Sequence, residues 1–450
     1  MENKIGIKEK VGYMFGDLAI DSSFMMAVTY LMVFYTDVLG IQAAYVGTLF
    51  FFARIWDAFM DVLWGRFIDL RNPGKNGKFK PWFIRCSVPF VISTILLFTK
   101  IPGMTEKFYL FYAIVMYVIW GSLFSTVSIP YGSLASVITS DPVERSVLSS
   151  FRNSGSTIAT LCIGFFGPLV LFVNNKANAD RFFIVVLVVA AISMIFYILC
   201  YKMTTERIVA TSKAANSTQR SLKDSLKSLI KNRAFITLIA ASLLLMFALM
   251  SALNAYLYKD YFHDIKAMSV LNVLTILNLF IIPPLVPTIT KRFGKKESVS
   301  VALLGASIIY FLLFLLPITN AYVFIAISFV ANLFAALFTF TIWAFVAEVV
   351  DYHEVLTGKR EDGTVFSMYT FSRKIGQAIS GGAIGFMLAA IGYVQKAPQQ
   401  SAEIGLNIKR VATLVPSLVY FLIFLILVFA YPLTKEKIEQ MTKNLAEKRG

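Results

Sequence analysis

The sequence predicts an all-α membrane protein whose chain crosses the bilayer twelve times. Of its 450 residues, 57% are hydrophobic and only 15% are charged, against roughly 25% charged residues in an ordinary soluble domain. One soluble core could not bury this much apolar surface. A membrane-spanning helix needs ~20 apolar residues, so twelve helices fit this length, whereas the strands of a membrane barrel would alternate in polarity. The composition therefore excludes a soluble enzyme, a disordered chain and a secreted disulfide scaffold.

Twelve apolar runs follow one another in two series of six. The first series lies near residues 12–36, 43–65, 82–101, 108–138, 150–174 and 182–202. The second series lies near residues 235–258, 267–290, 298–317, 321–350, 366–394 and 411–432. The polar, basic segment between the series predicts a cytoplasmic linker. The predicted domains are an N-terminal six-helix bundle (1–203), the linker (204–233), a C-terminal six-helix bundle (234–432) and a cytoplasmic tail (433–450).

The basic residues indicate how the chain is oriented. The net charge of +16 comes largely from connecting segments, including 66–85 after the second run and 291–296 after the eighth. The positive-inside rule places these segments in the cytoplasm, and an even number of spans puts both termini there. This accounts for the charge without nucleic-acid binding, for which the chain has no recognisable module. A basic loop follows the second run of each series, which indicates parallel repeats of six helices, the plan of the major facilitator fold, with a site near the bilayer midplane.

Ionisable residues inside a span cost roughly 2.5–3.5 kcal/mol each on insertion scales, so they mark functional sites by default. The second run contains Arg54, Asp57 and Asp61. The two aspartates are four residues apart, which puts both carboxylates on one face of a helix. Such a pair can share one proton, because ionising both groups in a low dielectric is costly, and it can equally ligate a small cation. The alternative is an Arg–Asp ion pair that only holds two helices together.

Two further sets of charges are candidates for substrate binding. The first run carries Asp17 and Asp21, whose carboxylates can accept hydrogen bonds from sugar hydroxyls, although Asp17 could also only solvate a helix end. The eleventh run carries Arg373 and Lys374, which point ~100° apart on a helix, so one of them is expected to face the interior; the alternative is a pair that reaches for the membrane interface. Arg152, at the start of the fifth run, fits a cavity cation and a cytoplasmic cap equally well.

Charges at the cytoplasmic ends of the helices predict a salt-bridge gate that opens and closes as the halves move. Its predicted members are Arg145, Arg292, Asp351, Glu354 and Arg360. The three cysteines show no metal-ligand spacing, and we expect neither a metal nor a cofactor.

Several motifs, taken in order, resemble one family. They are Gly16-Asp17, Phe34 to Val38, Arg54 to Asp61, Gly77-Lys78-Phe79-Lys80-Pro81-Trp82, Ile129-Pro130-Tyr131-Gly132-Ser133-Leu134, Asp141 to Arg152, Asp351 to Glu354, and Arg373-Lys374 through Gly392-Tyr393. Over essentially the whole chain their order is similar to that of the glycoside–pentoside–hexuronide:cation symporters, a group of the major facilitator superfamily that includes the melibiose permease and the glucuronide carrier. The Ser372-Arg373-Lys374 stretch and the Tyr431 to Thr434 ending most resemble the glucuronide-carrier branch.

The resemblance implies roles for individual positions. Asp57, Asp61 and Ser125 match residues that hold the coupling cation in the melibiose permease. Ser128 stands where the permease has an Asp that binds galactosides, and Met60 where it has an Asn that favours sodium. Because a thioether is a poor ligand for a hard cation, a proton is favoured over sodium as the coupling ion. The substrate-binding residues expected from the charges, the aromatic side chains and the resemblance are Asp17, Asp21, Ser128, Tyr131, Arg152, Trp343, Tyr369, Thr370, Arg373 and Lys374.

We therefore predict a secondary active sugar transporter, not an enzyme, that works by alternating access as a monomer in a bacterial cytoplasmic membrane. The acidic side chain lost at Ser128 and the extra cation at Arg373 favour proton symport of a glucuronide or another anionic sugar. The alternatives are a symporter that is coupled to sodium or specific for a neutral glycoside or pentoside, and a proton-coupled drug antiporter. A magnesium-dependent membrane enzyme would need a second Asp-rich cluster, which the sequence lacks, and a sugar sensor would bind sugar without accumulating it.

Overall fold

The computed structural model describes residues 5–74, 77–139, 141–207, 229–248, 251–358, 362–397 and 399–449, and most of them are helical. The helices of the first half are α1 (Ile7–Val33), α2 (Ala43–Asp69), α3 (Lys80–Leu97), α4 (Glu106–Ile138), α5 (Pro142–Val170) and α6 (Ala179–Met203). Those of the second half are α7 (Arg233–Ala248), α8 (Ser251–Tyr256), α9 (Ala267–Phe293), α10 (Lys295–Leu315), α11 (Ala321–Thr357), α12 (Asp362–Ala390), α13 (Ala402–Leu425) and α14 (Lys435–Arg449). Single π-helical turns extend α1, α8 and α13, at Phe34–Leu39, Leu257–Tyr261 and Ile426–Ala430.

Nine helical segments in the described part of the chain are long and apolar enough to cross a membrane. Helices α2, α5 and α12 are not among them, although they contain 27, 29 and 29 residues. These three helices carry predicted site residues, including Asp57, Arg152 and Arg373. Charged and polar side chains inside a span are the expected mark of a functional site. The predicted all-α membrane fold is confirmed, and the twelve membrane crossings stay a prediction.

The chain forms two compact units. Unit 1 comprises residues 1–214, 254–272 and 384–401, and unit 2 comprises residues 215–253, 273–383 and 402–450. In unit 1, α1 packs against α5 and α6, and α4 packs against α2 and α3. In unit 2, α10 packs against α11 and α13, and α13 also contacts α7. Unit 1 thus joins the first-half helices to two short segments of the second half.

The predicted linker, 204–233, lies outside the described residues between positions 208 and 228. The predicted domain boundaries therefore stay a prediction.

Two helices continue well beyond the apolar runs that predicted them. Helix α11 continues to Thr357, and α13 begins at Ala402. Inside the added part of α13, the Lys409 ammonium donates hydrogen bonds to the carbonyl oxygens of Phe314 and Leu316 at 3.1 and 2.7 Å. Those carbonyls are left without helical partners where α10 ends. Hydropathy does not register this, because the polar side chain is satisfied by a neighbouring helix.

A short antiparallel hairpin between α5 and α6 was not predicted from the sequence. It consists of β1 (Phe172–Val173) and β2 (Lys176–Ala177). The turn residues Asn174 and Asn175 have φ angles of 49° and 61°, in the left-handed region that Asn tolerates. The Asn-Asn pair is the signal that could have predicted this turn.

Candidate functional site

The carboxylate pair of α2 faces α4. Asp61 Oδ1 accepts a hydrogen bond of 2.6 Å from the Ser125 hydroxyl, and Asp57 Oδ2 lies 3.4 Å from Arg54 Nη1. The side chains of Arg54 and Asp57 are only 18% and 14% exposed. The structure thus places Ser125, a predicted cation-site residue, on the carboxylate of Asp61, and it adds the Arg54 guanidinium next to Asp57.

The main chain of α4 comes very close to this pair at Gly121. A methyl group at Gly121 would lie 2.1 Å from Asp57 Oδ1, a separation at which the two atoms would overlap. Only glycine lets the carboxylate occupy this position. On the α1 side, the Arg54 guanidinium lies 5.3 Å from the centre of the Phe24 ring, within range of a cation–π interaction. In this confined and partly apolar setting, the Arg54 guanidinium compensates negative charge of the pair.

Two contacts, one helical turn apart, join α1 to α5. Arg152 Nε lies 2.9 Å from Asp17 Oδ1, and the Ser156 hydroxyl donates a hydrogen bond to Asp21. The Asp17 side chain is 6% exposed and that of Arg152 is 44% exposed. Arg152 lies well inside α5, which begins at Pro142, and the choice between a cavity cation and a cytoplasmic cap stays open.

Tyr131 supports this ion pair from α4. Its hydroxyl donates a 2.7 Å hydrogen bond to the Tyr13 carbonyl oxygen, and the two rings stack with centroids 4.7 Å apart. The Arg152 guanidinium lies 5.3 Å from the centre of the Tyr131 ring. Tyr131 is fully buried, so in this structure it positions Arg152, and its contact with a sugar stays a prediction. Ser128, one turn earlier on α4, is half-buried.

Unit 2 contains an aromatic cluster on α11 and α12. The Trp343 ring packs edge-on against Tyr369 at 5.2 Å and stacks on Phe366 at 6.0 Å, measured between ring centroids. The Tyr369 hydroxyl accepts a 3.4 Å hydrogen bond from Ser242. Trp343 is 45% exposed, whereas Tyr369 is 1% exposed. The cluster therefore fixes the indole in place and leaves much of its surface available.

One of the two adjacent cations of α12 packs on this cluster. The Arg373 guanidinium lies 5.8 Å from the centre of the Trp343 ring. Arg373 is half-buried, while its neighbour Lys374 and the predicted sugar-site residue Thr370 are exposed. Arg373 is therefore the cation that accompanies the exposed indole.

Two of the predicted gate arginines contact residues that are close to them in the sequence. Arg145, in unit 1, donates to the carbonyl oxygens of Thr139 and Ser136 at 2.9 and 3.2 Å, where α4 ends. The guanidinium of Arg292, in unit 2, lies 5.1 Å from the centre of the Phe293 ring. The gate itself stays a prediction.

The remaining gate residues belong to the C-terminal end of α11 and the segment after it. Asp351 and Glu354 are half-buried on α11, and Arg360 lies outside the described residues. The same end of α11 carries an ion pair that was not predicted from the sequence, in which Lys295 Nζ lies 2.5 Å from Glu348 Oε1.

Gly121, Ser156 and Phe366 also belong to these clusters without having been predicted. A signal for Ser156 was present in the spacing, because Ser156 follows Arg152 by four residues just as Asp21 follows Asp17. Two helices that pair through one such contact can pair through the next one a turn away. No local pattern identifies Gly121, whose importance depends on the approach of another helix.

Comparison with known proteins places the chain among transporters. It matches the model of a family described as MFS/sugar transport protein over residues 12–435. The glucuronide carrier protein homolog of Escherichia coli is 30% identical over 99% of this chain and 96% of its own length. The isoprimeverose transporter of Lactiplantibacillus pentosus is 31% identical over 89% of this chain and 84% of its own length. The putative sulfoquinovose importer of Salmonella typhimurium is 29% identical over 99% of this chain and 94% of its own length.

Solved structures share the fold at much lower identity. The crystal structure of a D-xylose-proton symporter matches with a TM-score of 0.64 and 13% identity, over 94% of this chain and 96% of that chain. At this identity the likeness concerns the fold alone. Together with the family match over residues 12–435, it confirms the predicted major facilitator fold.

Proposed function

We propose that this chain, which belongs to the MFS/sugar transport protein family, carries a sugar together with a proton across the cytoplasmic membrane of a bacterium. The family and its named relatives make the protein a multi-pass membrane transporter of the sugar-transporting group and not an enzyme. The proposal adds the coupling ion, the class of sugar and the membrane.

The carboxylate pair of α2 carries the proposal of proton coupling. Arg54 already supplies a positive charge 3.4 Å from Asp57, which opposes the binding of a second, metallic cation nearby. Met60, one of the three residues between the two aspartates, is a poor sodium ligand. A proton needs only a carboxylate, and Asp61, hydrogen-bonded to Ser125, is available to share one with Asp57.

Arg373 and Trp343 support an anionic sugar as the substrate. A sugar can stack its apolar face on an indole ring, and a guanidinium makes charge-assisted, bidentate hydrogen bonds with a carboxylate. The guanidinium lies 5.8 Å from the indole centre, so one acidic sugar could contact both groups. Two of the relatives are named for the acidic sugars glucuronide and sulfoquinovose, whereas isoprimeverose, for which the third is named, is neutral.

Alternating access supplies the order of events. A proton from outside neutralises the pair Asp57 and Asp61, and the sugar then binds to groups that include Trp343 and Arg373. With its charge compensated, the protein changes conformation and releases both ligands inside. Coupling requires that the protein loaded with only one of them changes conformation slowly.

Sugar-induced proton movement tests the coupling ion. De-energised cells that express the protein receive phenyl-glucuronide in sodium-free, weakly buffered medium while the external pH is recorded. We expect alkalinisation, and we expect it to vanish in Asp57→Asn and Asp61→Asn because neither variant retains the pair. Asp180→Asn, which changes an exposed aspartate at the start of α6, is the control and should behave as the parent. Uptake that begins only when sodium is added would overturn proton coupling.

The class of sugar is tested at Arg373. We expect Arg373→Gln to raise the half-saturating concentration of phenyl-glucuronide by tenfold or more, since a hydrogen bond to a charged group contributes about 1.5–3 kcal/mol. If the parent protein also takes up neutral phenyl-glucoside, the half-saturating concentration of that sugar should change little in Arg373→Gln. Arg410→Gln, at an exposed arginine of α13, is the matched control. A parent protein that takes up the glucoside and ignores the glucuronide would show a transporter of neutral glycosides.

A further inference from the structure

A buried cluster of charged side chains lies in unit 1, at the ends of helical spans that the predicted topology places outside. Lys259 Nζ lies 2.6 Å from Asp37 Oδ2 and 2.9 Å from Asp260 Oδ1. The Tyr393 hydroxyl accepts a 3.0 Å hydrogen bond from Lys259 and donates one of 2.8 Å to Asp37 Oδ1. Lys259 and Asp260 are each 8% exposed and Tyr393 is 4% exposed. Asp37, Lys259, Asp260 and Tyr393 are called the outer cluster below.

Two hydroxyl groups extend the outer cluster. Thr36 donates a hydrogen bond of 2.9 Å to Asp37 Oδ1, and its oxygen lies 2.8 Å from the Tyr256 hydroxyl. Residues 36 and 37 belong to the first half of the chain, and the other members belong to the second half. Every contact of Asp37 with Lys259 or Tyr393 therefore joins the two halves of the chain at this face.

The same face has further close contacts between the two halves of the chain. A methyl group at Gly385 would lie 2.4 Å from the Ala43 carbonyl oxygen and 2.5 Å from Gly47 Cα, so α12 touches the main chain of α2 there. The Asn272 side-chain amide donates a 2.8 Å hydrogen bond to the Gly164 carbonyl oxygen. These contacts lie within unit 1, and they leave Ala43 fully buried.

We propose that the outer cluster is a lock that keeps the outer face closed, with Lys259 as its central residue. The proposal rests on alternating access, in which the outer ends of the two halves of the chain must part to admit the sugar. When the outer ends part, Lys259 and Tyr393 separate from Asp37, and each of these groups becomes exposed to water. Closing removes two carboxylates and one ammonium from water together, which is favourable only if all of them are paired. The contacts of Asp37 with Lys259 and Tyr393 therefore form or break together.

Lys259 is central because of the charge balance. It is the ammonium between the two carboxylates of the cluster, and Asp37 is also satisfied by two hydroxyl groups. Without this ammonium, Asp37 and Asp260 would face each other in a buried setting and repel. Removing one partner of a buried ion pair strongly destabilises the folded arrangement, because it leaves the other charge buried without compensation. A neutral side chain at position 259 should thus favour the open outer face.

The test measures how fast a buried reporter becomes reactive. Ala43→Cys places a small thiol at a fully buried position of α2, and a bulky, charged maleimide is applied to the purified full-length protein without sugar. We expect labelling of the introduced cysteine to be about tenfold faster or more when Lys259→Met is added. Lys259→Arg keeps the charge and should label close to the parent rate. Lys266→Met, at an exposed lysine of the loop that follows the π-helical turn of Lys259, is the matched control and should have no effect.

Two outcomes would overturn the lock. One is equal labelling rates in the parent and in Lys259→Met, and the other is an equal rise in Lys266→Met. If Lys259→Met fails to fold, as judged by its size-exclusion profile, Tyr393→Phe removes only one hydroxyl and should raise the rate in the same direction by a few-fold. An unchanged rate in that variant would also overturn the lock. Labelling needs neither sugar nor proton, so failure of the proposed transport activity would show separately.

Discussion

Gly121 is the point at which the main chain of α4 meets the Asp57 carboxylate. We expect Gly121→Ala to displace this carboxylate, because the added methyl group would lie 2.1 Å from Asp57 Oδ1, and to reduce proton-coupled uptake at least tenfold. The matched control is Gly132→Ala on the same helix, where the nearest atom to the new methyl group would be Arg152 Nη1 at 3.9 Å. Sugar-induced alkalinisation measures both variants. Equal activities would contradict a tight approach of α4 to the cation site.

The ion pair between Asp17 and Arg152 makes a second prediction for single residues. Asp17 is 6% exposed, so Arg152→Gln leaves a buried carboxylate without its cation and should lower the free energy of unfolding by about 1–3 kcal/mol. Asp17→Asn removes that charge, so the double variant should be more stable than Arg152→Gln alone. Thermal unfolding of the four proteins gives the interaction energy. A double variant no more stable than Arg152→Gln would argue that the pair contributes little.

Among the helices, equivalent hydrogen bonds occur in the two halves of the chain. Lys80 Nζ donates to the Thr204 carbonyl oxygen at 2.5 Å, and Lys296 Nζ donates to the Tyr431 carbonyl oxygen at 2.8 Å. Lys80 and Lys296 lie in the first turns of α3 and α10, and the two carbonyl groups directly follow α6 and the π-helical turn that extends α13. The basic loops that predict a cytoplasmic side therefore also tie together the helix ends of each repeat.

Glu206 has the role of a helix cap supplied from a distant segment. Its carboxylate accepts hydrogen bonds from the backbone N–H groups of Lys78, Phe79 and Lys80 at 2.7, 2.8 and 2.7 Å, at the positive end of α3. We expect Glu206→Gln to lower the free energy of unfolding by about 1–2 kcal/mol, the usual range for a lost cap. Glu106→Gln, in the exposed first turn of α4, is the control. Equal shifts of melting temperature in the two variants would contradict the cap.

Whether the sequence predicts a feature depends on how far apart along the chain the interacting residues lie. Helical spacing alone puts Asp57 and Asp61 on one face, and the resemblance adds Ser125. In contrast, Asp37 and Tyr393 are 356 positions apart, and no local pattern brings them together. Hydropathy likewise places the centres of the helices and misses their polar ends, since side chains such as Lys409 find partners on another helix.

For the whole molecule, the number of crossings decides on which side each loop lies. Helices α2, α5 and α12 are not among the nine candidate spans of the described residues, yet they carry the charges on which the proposed function depends. If all twelve predicted spans cross the membrane, the loop after α2 is inside and the loop after α3 is outside. If α2 does not cross, both loops exchange sides. The proposed function therefore requires that α2, α5 and α12 cross the membrane, and a test of the topology is also a test of the function.

Single introduced cysteines can test this topology. Leu70, Met104 and Val394 are 75%, 42% and 52% exposed, and they follow α2, α3 and α12. In intact cells, an impermeant maleimide should label Met104→Cys and Val394→Cys but not Leu70→Cys, because twelve crossings put only the first two outside. After permeabilisation all three should react, and the parent, with Cys86, Cys162 and Cys200, gives the background. Labelling of Leu70→Cys in intact cells would mean that α2 does not cross, and Asp57 and Asp61 could then not serve as a proton site within the membrane.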